Sequence, residues 1–205
     1  DTMYEKGQQV SQREGPSKQA AAQVSQIVAE RKELDETIWS DEELAQKYEE
    51  VFVKLWDELR AAKHDWAVLE AFRLGTITLP EVAPRKASHD WGIVEHTFEA
   101  GSKSISEDAW RRLLGQWKSE YRLRESEWHQ EAFRANKDAP PVSIYRIVLH
   151  AERITGPGRL VVRATLKVIW DNSLSPKEAR PRGIEVEQLK ILTREKAVPF
   201  QHERD

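Results

Sequence analysis

The apolar residues of this chain recur at two different periods, and the change from one to the other sets what it can fold into. Up to about residue 122 they mostly return every three or four positions. From about residue 126 they tend to alternate. The first spacing belongs to helices with one buried face, the second to strands with one buried face. Helices first and a run of antiparallel strands after them give an α+β domain, with the N-terminal helices packed on a curved antiparallel sheet.

Each half can be read more finely. In 17–38, Ala20, Val24, Ile27, Val28, Arg31, Leu34 and Ile38 form a narrow stripe that predicts a helix. Ser40-Asp41-Glu42-Glu43 has the spacing of a capping box, in which the Ser40 hydroxyl accepts from the amide of Glu43. A second helix is therefore expected over 41–63, with Leu44, Tyr48, Val51, Phe52, Leu55, Trp56 and Leu59 on one face. Two helices joined this way predict a helical hairpin. A short strand is expected at 73–79, stopped by Pro80, and then a loop over 80–104. Ser104-Ile105-Ser106-Glu107 again has the spacing of a capping box, with Ser106 as an alternative cap, and a third helix follows to about residue 122, with Trp110, Leu113, Leu114, Trp117 and Tyr121 on one face. Strands are expected at 126–134, 142–154, 159–170 and 183–193. Gly156-Pro157-Gly158 should join the middle two as a long hairpin. Residues 1–16 read as a flexible tail or linker, 17–200 as one α+β domain, and 201–205 as the start of a link to a downstream region.

Composition narrows the chemistry. The 205 residues include no cysteine, which excludes disulfides, thiol nucleophiles and Cys-based zinc sites. No apolar run approaches the ~20 residues of a spanning helix, so no membrane span is expected. With 32 Lys+Arg against 35 Asp+Glu, the near-neutral balance argues against nonspecific binding of nucleic acid. Eight Trp residues supply large apolar surfaces for a core, and Trp56, Trp110, Trp117 and Trp170 each lie on a periodic apolar face.

Three groups of residues have the composition of a site. His89-Asp90-Trp91-Gly92-Ile93-Val94-Glu95-His96 holds two imidazoles and two carboxylates, but its spacing matches no established ligand signature. Arg146, His150 and Glu152 on one expected strand neighbour Arg163 and Lys167 on the next. A His beside a carboxylate can act as general base, and adjacent Arg residues can hold an anion. A solvated outer sheet face would carry the same charges. The side of that strand holding Tyr145, Ile147, Leu149 and Ala151 is more apolar and should turn toward the helices, which would leave His150 toward solvent. Glu127, His129 and Glu131 share one side of a third segment, the pattern of a charged edge strand. No Gly-rich phosphate loop and no G-x-S-x-G occurs. The expectation is a chain with no cofactor that is not itself an enzyme. The enzyme alternative uses His150 as base, Glu152 or Glu127 as its partner, and Arg146 or Arg163 as anion clamp.

The element order resembles the cone-shaped nuclear-transport-factor-2-like architecture. Several phrases look like the amino-terminal region of exported bacterial FG-GAP/VCBS-repeat proteins of the ASPIC/UnbV (cartilage-acidic-protein-like) group. These are Leu34-Asp35-Glu36-Thr37-Ile38-Trp39, Phe52-Val53-Lys54-Leu55-Trp56-Asp57-Glu58-Leu59-Arg60, Ser126-Glu127-Trp128-His129, and Glu187-Gln188-Leu189-Lys190-Ile191-Leu192-Thr193-Arg194 with Pro199-Phe200 after it. The resemblance implies a noncatalytic accessory or interaction domain of a larger periplasmic or secreted protein. Its partners would be propeller repeats downstream. It carries over no calcium site and no catalytic residue. The alternative from the cone-shaped pocket is a small-molecule binder or a lyase- or isomerase-type enzyme.

The residue types around His89 and His96 generate one test. Elemental analysis of protein purified without chelator should find no stoichiometric zinc. Zinc that disappears in a His89→Ala, His96→Ala double variant would overturn the expectation.

Overall fold

From Ser17 to Leu74 the chain has neither glycine nor proline, and the backbone makes one helix where the capping box predicted two. In the computed structural model, which describes residues 18–81, 83–136 and 138–195, this helix is α1 (Lys18–Ala61). Ser40 lies inside it, so the expected helical hairpin does not form. A capping box ends nothing without a breaker before it, because Ser, Asp and Glu are all tolerated in a helix interior. The expected tail at 1–16, the link at 201–205 and Pro199-Phe200 lie outside the described residues.

The described residues fall into two separate units, divided between Glu42 and Glu43. In the first, the stripe residues Val24, Ile27, Val28 and Leu34 are all exposed. In the second, Tyr48, Phe52, Leu55 and Leu59 of the same helix are buried against the sheet. The helix stops where Lys63 and His64 take positive φ. Asp65 then caps a short helix, α2 (Trp66–Ala71), by accepting from the amide of Ala67.

The strands follow. β1 is Thr76–Leu79, β2 Arg85–His89, β3 Ile93–Phe98 and β4 Lys103–Ile105. The expected loop over 80–104 is thus largely strand. Its period was hidden because β2 is exposed along its whole length and β3 is half-buried on both sides. Trp91 and Gly92, both at positive φ, turn β2 back onto β3. α3 (Glu107–Glu120) begins at the alternative cap Ser106, whose hydroxyl accepts from the amide of Ala109, while Ser104 of the expected capping box lies in β4 and Tyr121, expected on the helix face, opens the next strand. β5 (Tyr121–Asn136), β6 (Ala139–Arg153), β7 (Arg159–Trp170) and β8 (Pro181–Arg194) are the long strands expected: β7 has the expected bounds, β5 and β8 are longer at both ends, and β6 starts three residues earlier and stops one earlier.

The sheet order is β2-β3-β8-β7-β6-β5, with β1 and β4 attached beside β8. Every pair is antiparallel except β1 with β8. The outer side of β8 is shared: β1 pairs along 183–185 and β3 along 189–194. Gly75 makes the approach of β1 possible. Its φ is +70, and a Cβ there would sit 2.0 Å from the carbonyl oxygen of Arg182. β5 is an edge strand, as its charged pattern predicted, and bulges interrupt its pairing with β6.

The core lies between the helices and the inner face of the sheet. β7 alternates as read from the sequence, with Ala164, Leu166, Val168 and Trp170 buried. The Phe52 ring touches Tyr145 with centroids 4.3 Å apart, and Phe72, Trp128 and Trp170 surround it. Trp170 is fully buried and donates from Nε1 to Ser143 Oγ at 2.8 Å. Tyr145 donates to Gln130 Oε1, and Gln130 Nε2 donates to the carbonyl of Ala45, which ties α1 to the sheet.

Not every periodic tryptophan is core. Trp56 and Trp110 are half-buried, and Trp117 is 41% exposed. On α3 only Leu114 points fully inward. Trp110 and Trp117 flank it and meet edge to face at 5.6 Å. Trp56 lies under the Arg60 guanidinium at 4.9 Å, at the margin of the core.

Two predictions follow from this packing. Trp170→Ala should cost about 3–5 kcal/mol in urea unfolding, the range for deleting a buried aromatic, with Trp56→Ala and Trp117→Ala well below it. Equal losses at all three would contradict the burial described. The second concerns alkaline pH. Burial, with the Glu49 carboxylate adding to it, pushes the Tyr145 phenol far above its ordinary value. A pKa raised on folding gives stability that is complete below the unfolded value of ~10 and is lost as pH rises above it. The urea midpoint should therefore be set by other groups below about pH 9 and fall above about pH 10. The fall should be shallower in Tyr145→Phe, and an identical slope in that variant would sink the assignment.

Candidate binding cavity

The helices do not fill all the space above the sheet. A cavity of about 140 Å³ remains between them. Its roof is Phe52 and Leu55 of α1, Trp66 and Leu69 of α2, and Trp110, Leu114 and Trp117 of α3. Its floor comes from β5 to β8 and includes Trp128, Ile147, Leu149, Val162, Ala164, Leu166 and Val186. Every lining side chain is apolar. A recess with apolar and aromatic walls can take a small aromatic molecule.

Polar contacts position the roof. Trp66 donates from Nε1 to the carbonyl of Tyr121 at 2.9 Å, pinning α2 over β5. Arg111 of α3 donates from Nε to the carbonyl of Glu70 at 3.1 Å, and Lys118 pairs with the Glu70 carboxylate at 3.3 Å. Glu107, at the start of α3, accepts from the amide of Gly75 and pairs with Arg73 and Arg111. Helix α3 is thus clasped to α2 and to the approach of β1 by charge, while Trp117 stands between cavity and solvent. Trp128, on the floor, keeps its Nε1 buried with no hydrogen-bond partner among the described residues, as does Ser126 Oγ two residues earlier.

The residues singled out in the sequence lie elsewhere. Tyr145, Ile147 and Ala151 are buried toward the helices, so Arg146, His150 and Glu152 project from the opposite face. His150 stands across from Glu125 and Val161 in the strand register. Glu152 is taken by Arg124 at 2.8 Å, with Arg159 at 3.8 Å. Arg146 pairs with Glu131 at 3.3 Å, and Glu127 lies 3.7 Å from His129. Arg163 is on this outer face too, opposite Val148 and Lys190. The face is a charged, cross-paired surface.

His89 and His96 are not brought together. His89 is opposite Ile93 and His96 opposite Lys86, which places the two imidazoles on opposite sides of the β2–β3 hairpin. His89 sits 3.4 Å from Glu95 instead. Among the described residues, no group of three or more His, Asp or Glu side chains is placed to hold a metal ion.

Sequence reasoning missed the cavity. The available signal was the excess of tryptophan, four of which line it, but periodicity reads a wall residue and a filled core alike. No family model, curated protein or solved structure matches this chain.

Proposed function

We propose that this chain is a noncatalytic binding domain that holds a small, uncharged, apolar molecule between its helices and its sheet. The supporting observation is the cavity's wholly apolar lining. General acid–base work needs a titratable group within hydrogen-bond reach of the reacting atoms, and the lining supplies none. The enzyme alternative needs His150 in an enclosed pocket, whereas His150 projects from the other face of the sheet.

Energetics support occupation. A fitting apolar ligand would take the lining out of water, a favourable transfer of about 25 cal/mol per Å² of apolar surface buried. Aromatic walls favour a planar ring, which can meet Trp and Phe edges and faces at little entropic cost. A recognition site without a reaction centre also fits the accessory role that the FG-GAP/VCBS resemblance implies. Placement in an exported repeat protein, and the cone-shaped architecture, rest on the residues and element order given above.

The test uses toluene as the neutral probe and benzoate as its charged counterpart. Toluene should quench or shift tryptophan fluorescence saturably and raise Tm, because a ligand that binds only the folded state stabilises it. Benzoate should do neither at equal concentration. Leu69→Phe, which adds ring carbons to the cavity wall, should keep the fold and abolish the toluene response. A toluene response unchanged in that variant, or none in the native chain, would defeat the reading.

A further inference from the structure

The outer face of the sheet carries a second recess, of about 400 Å³. Four basic side chains line it, each from a different strand: Arg85 of β2, Arg146 of β6, Arg163 of β7 and Lys190 of β8. The strand register explains their meeting. Arg85 is opposite Thr97, Thr97 opposite Lys190, and Lys190 opposite Arg163, so one row crosses four strands. Arg146 lies one step along β6 from Val148, the partner of Arg163. That makes Arg146 and Arg163 diagonal neighbours, about 7–8 Å apart at the backbone and within reach of one another's long side chains.

Three of these cations already have a carboxylate. Arg85 pairs with Glu99 at 2.5 Å, Arg146 with Glu131 at 3.3 Å, and Lys190 with Glu95 at 3.3 Å. The Lys190 contact is strong enough to be the main cause holding the Glu95 carboxyl below its ordinary range. The Arg163 guanidinium has no hydrogen bond or ion pair among the described residues. It also stands directly opposite Lys190, and like charges so placed destabilise a sheet. A cation so placed is left free to take an anion from solution. A guanidinium offers five donors in a fork that matches an oxyanion. Thr165 and Gln188, opposite each other on β7 and β8, line the same recess and add neutral donors.

Two carboxylates line it as well. Glu99 is occupied by Arg85, while Glu187 sits at the bulge between β7 and β8. Its negative charge limits how much anionic charge the recess can accept, which disfavours a polyanion such as nucleic acid. We propose that this recess binds one oxyanion group, a carboxylate or a phosphate, clamped by Arg163 and Arg146. The site is independent of the apolar cavity, since it lies on the other face of the sheet.

Amide NMR titrations with sodium phosphate and with sodium acetate, against sodium chloride at matched ionic strength, test it. Saturable shifts along 163–165 and 188–190 are expected with at least one of the two and not with chloride. Whichever anion gives them names the ligand class. Arg163→Gln should weaken binding about tenfold or more, as losing a charged hydrogen bond does. Glu187→Gln should tighten it, a gain that a merely structural role would not produce. Leu69→Phe should leave it unchanged, which separates failure here from failure of the apolar site. Shifts no different from chloride, or equal affinity in Arg163→Gln with the fold intact by circular dichroism, would overturn the proposal.

Discussion

Burial of Phe52 and its neighbours on the inner face of the sheet is the constraint from which the other features follow. Phe52, Leu55 and Leu59 of α1 are nearly or fully inaccessible, and Tyr145, Val168 and Trp170 meet them from the sheet. Each such side chain contributes about 1.5–3 kcal/mol by leaving water. No exposed charge pair on the other face approaches that, because surface pairs are worth about 0–1 kcal/mol. The apolar side of β6 therefore turns inward, and strand alternation sends Arg146, His150 and Glu152 outward. One decision by hydrophobic burial makes the cavity apolar and the opposite face charged.

The cavity itself is a consequence of how α3 is held. Its first turn is anchored by Glu107 to Gly75 and Arg73, and its middle and end by Arg111 and Lys118 to Glu70. These contacts set the helix by its polar flank. Leu114 alone reaches the full depth of the core, and Trp110 and Trp117 stand at the wall. These two rings meet edge to face at the wall, and the space beside Leu114 stays open where smaller, more adaptable side chains would close it.

Several features were legible because they depend on neighbours close in the chain. The α+β class, the turn at 156–158, the alternation of β7 and the inward side of β6 all follow from local period or local chemistry. The single helix α1 was misread because a capping box is a statement about a helix start, and nothing nearby ended the preceding helix. β2 and β3 were missed for the opposite reason. Exposed on both faces or half-buried on both, they have no alternation to read; β3 is held as a strand by pairing with β8, about a hundred residues away, and β2 by pairing with β3.

What the sequence by itself determined is which surfaces must be buried and which elements can bury them, since period and propensity are written residue by residue. It also determined that no thiol chemistry is available. Only the tertiary structure decided where helices and sheet fail to meet, leaving a cavity, and that Arg85, Lys190, Arg163 and Arg146 fall together across four strands. It also separated His89 from His96, seven residues apart, by placing them on opposite faces of one hairpin. Such outcomes depend on register and on packing between distant segments. Both are set by the sum of many weak contacts, and no short stretch of sequence carries that sum.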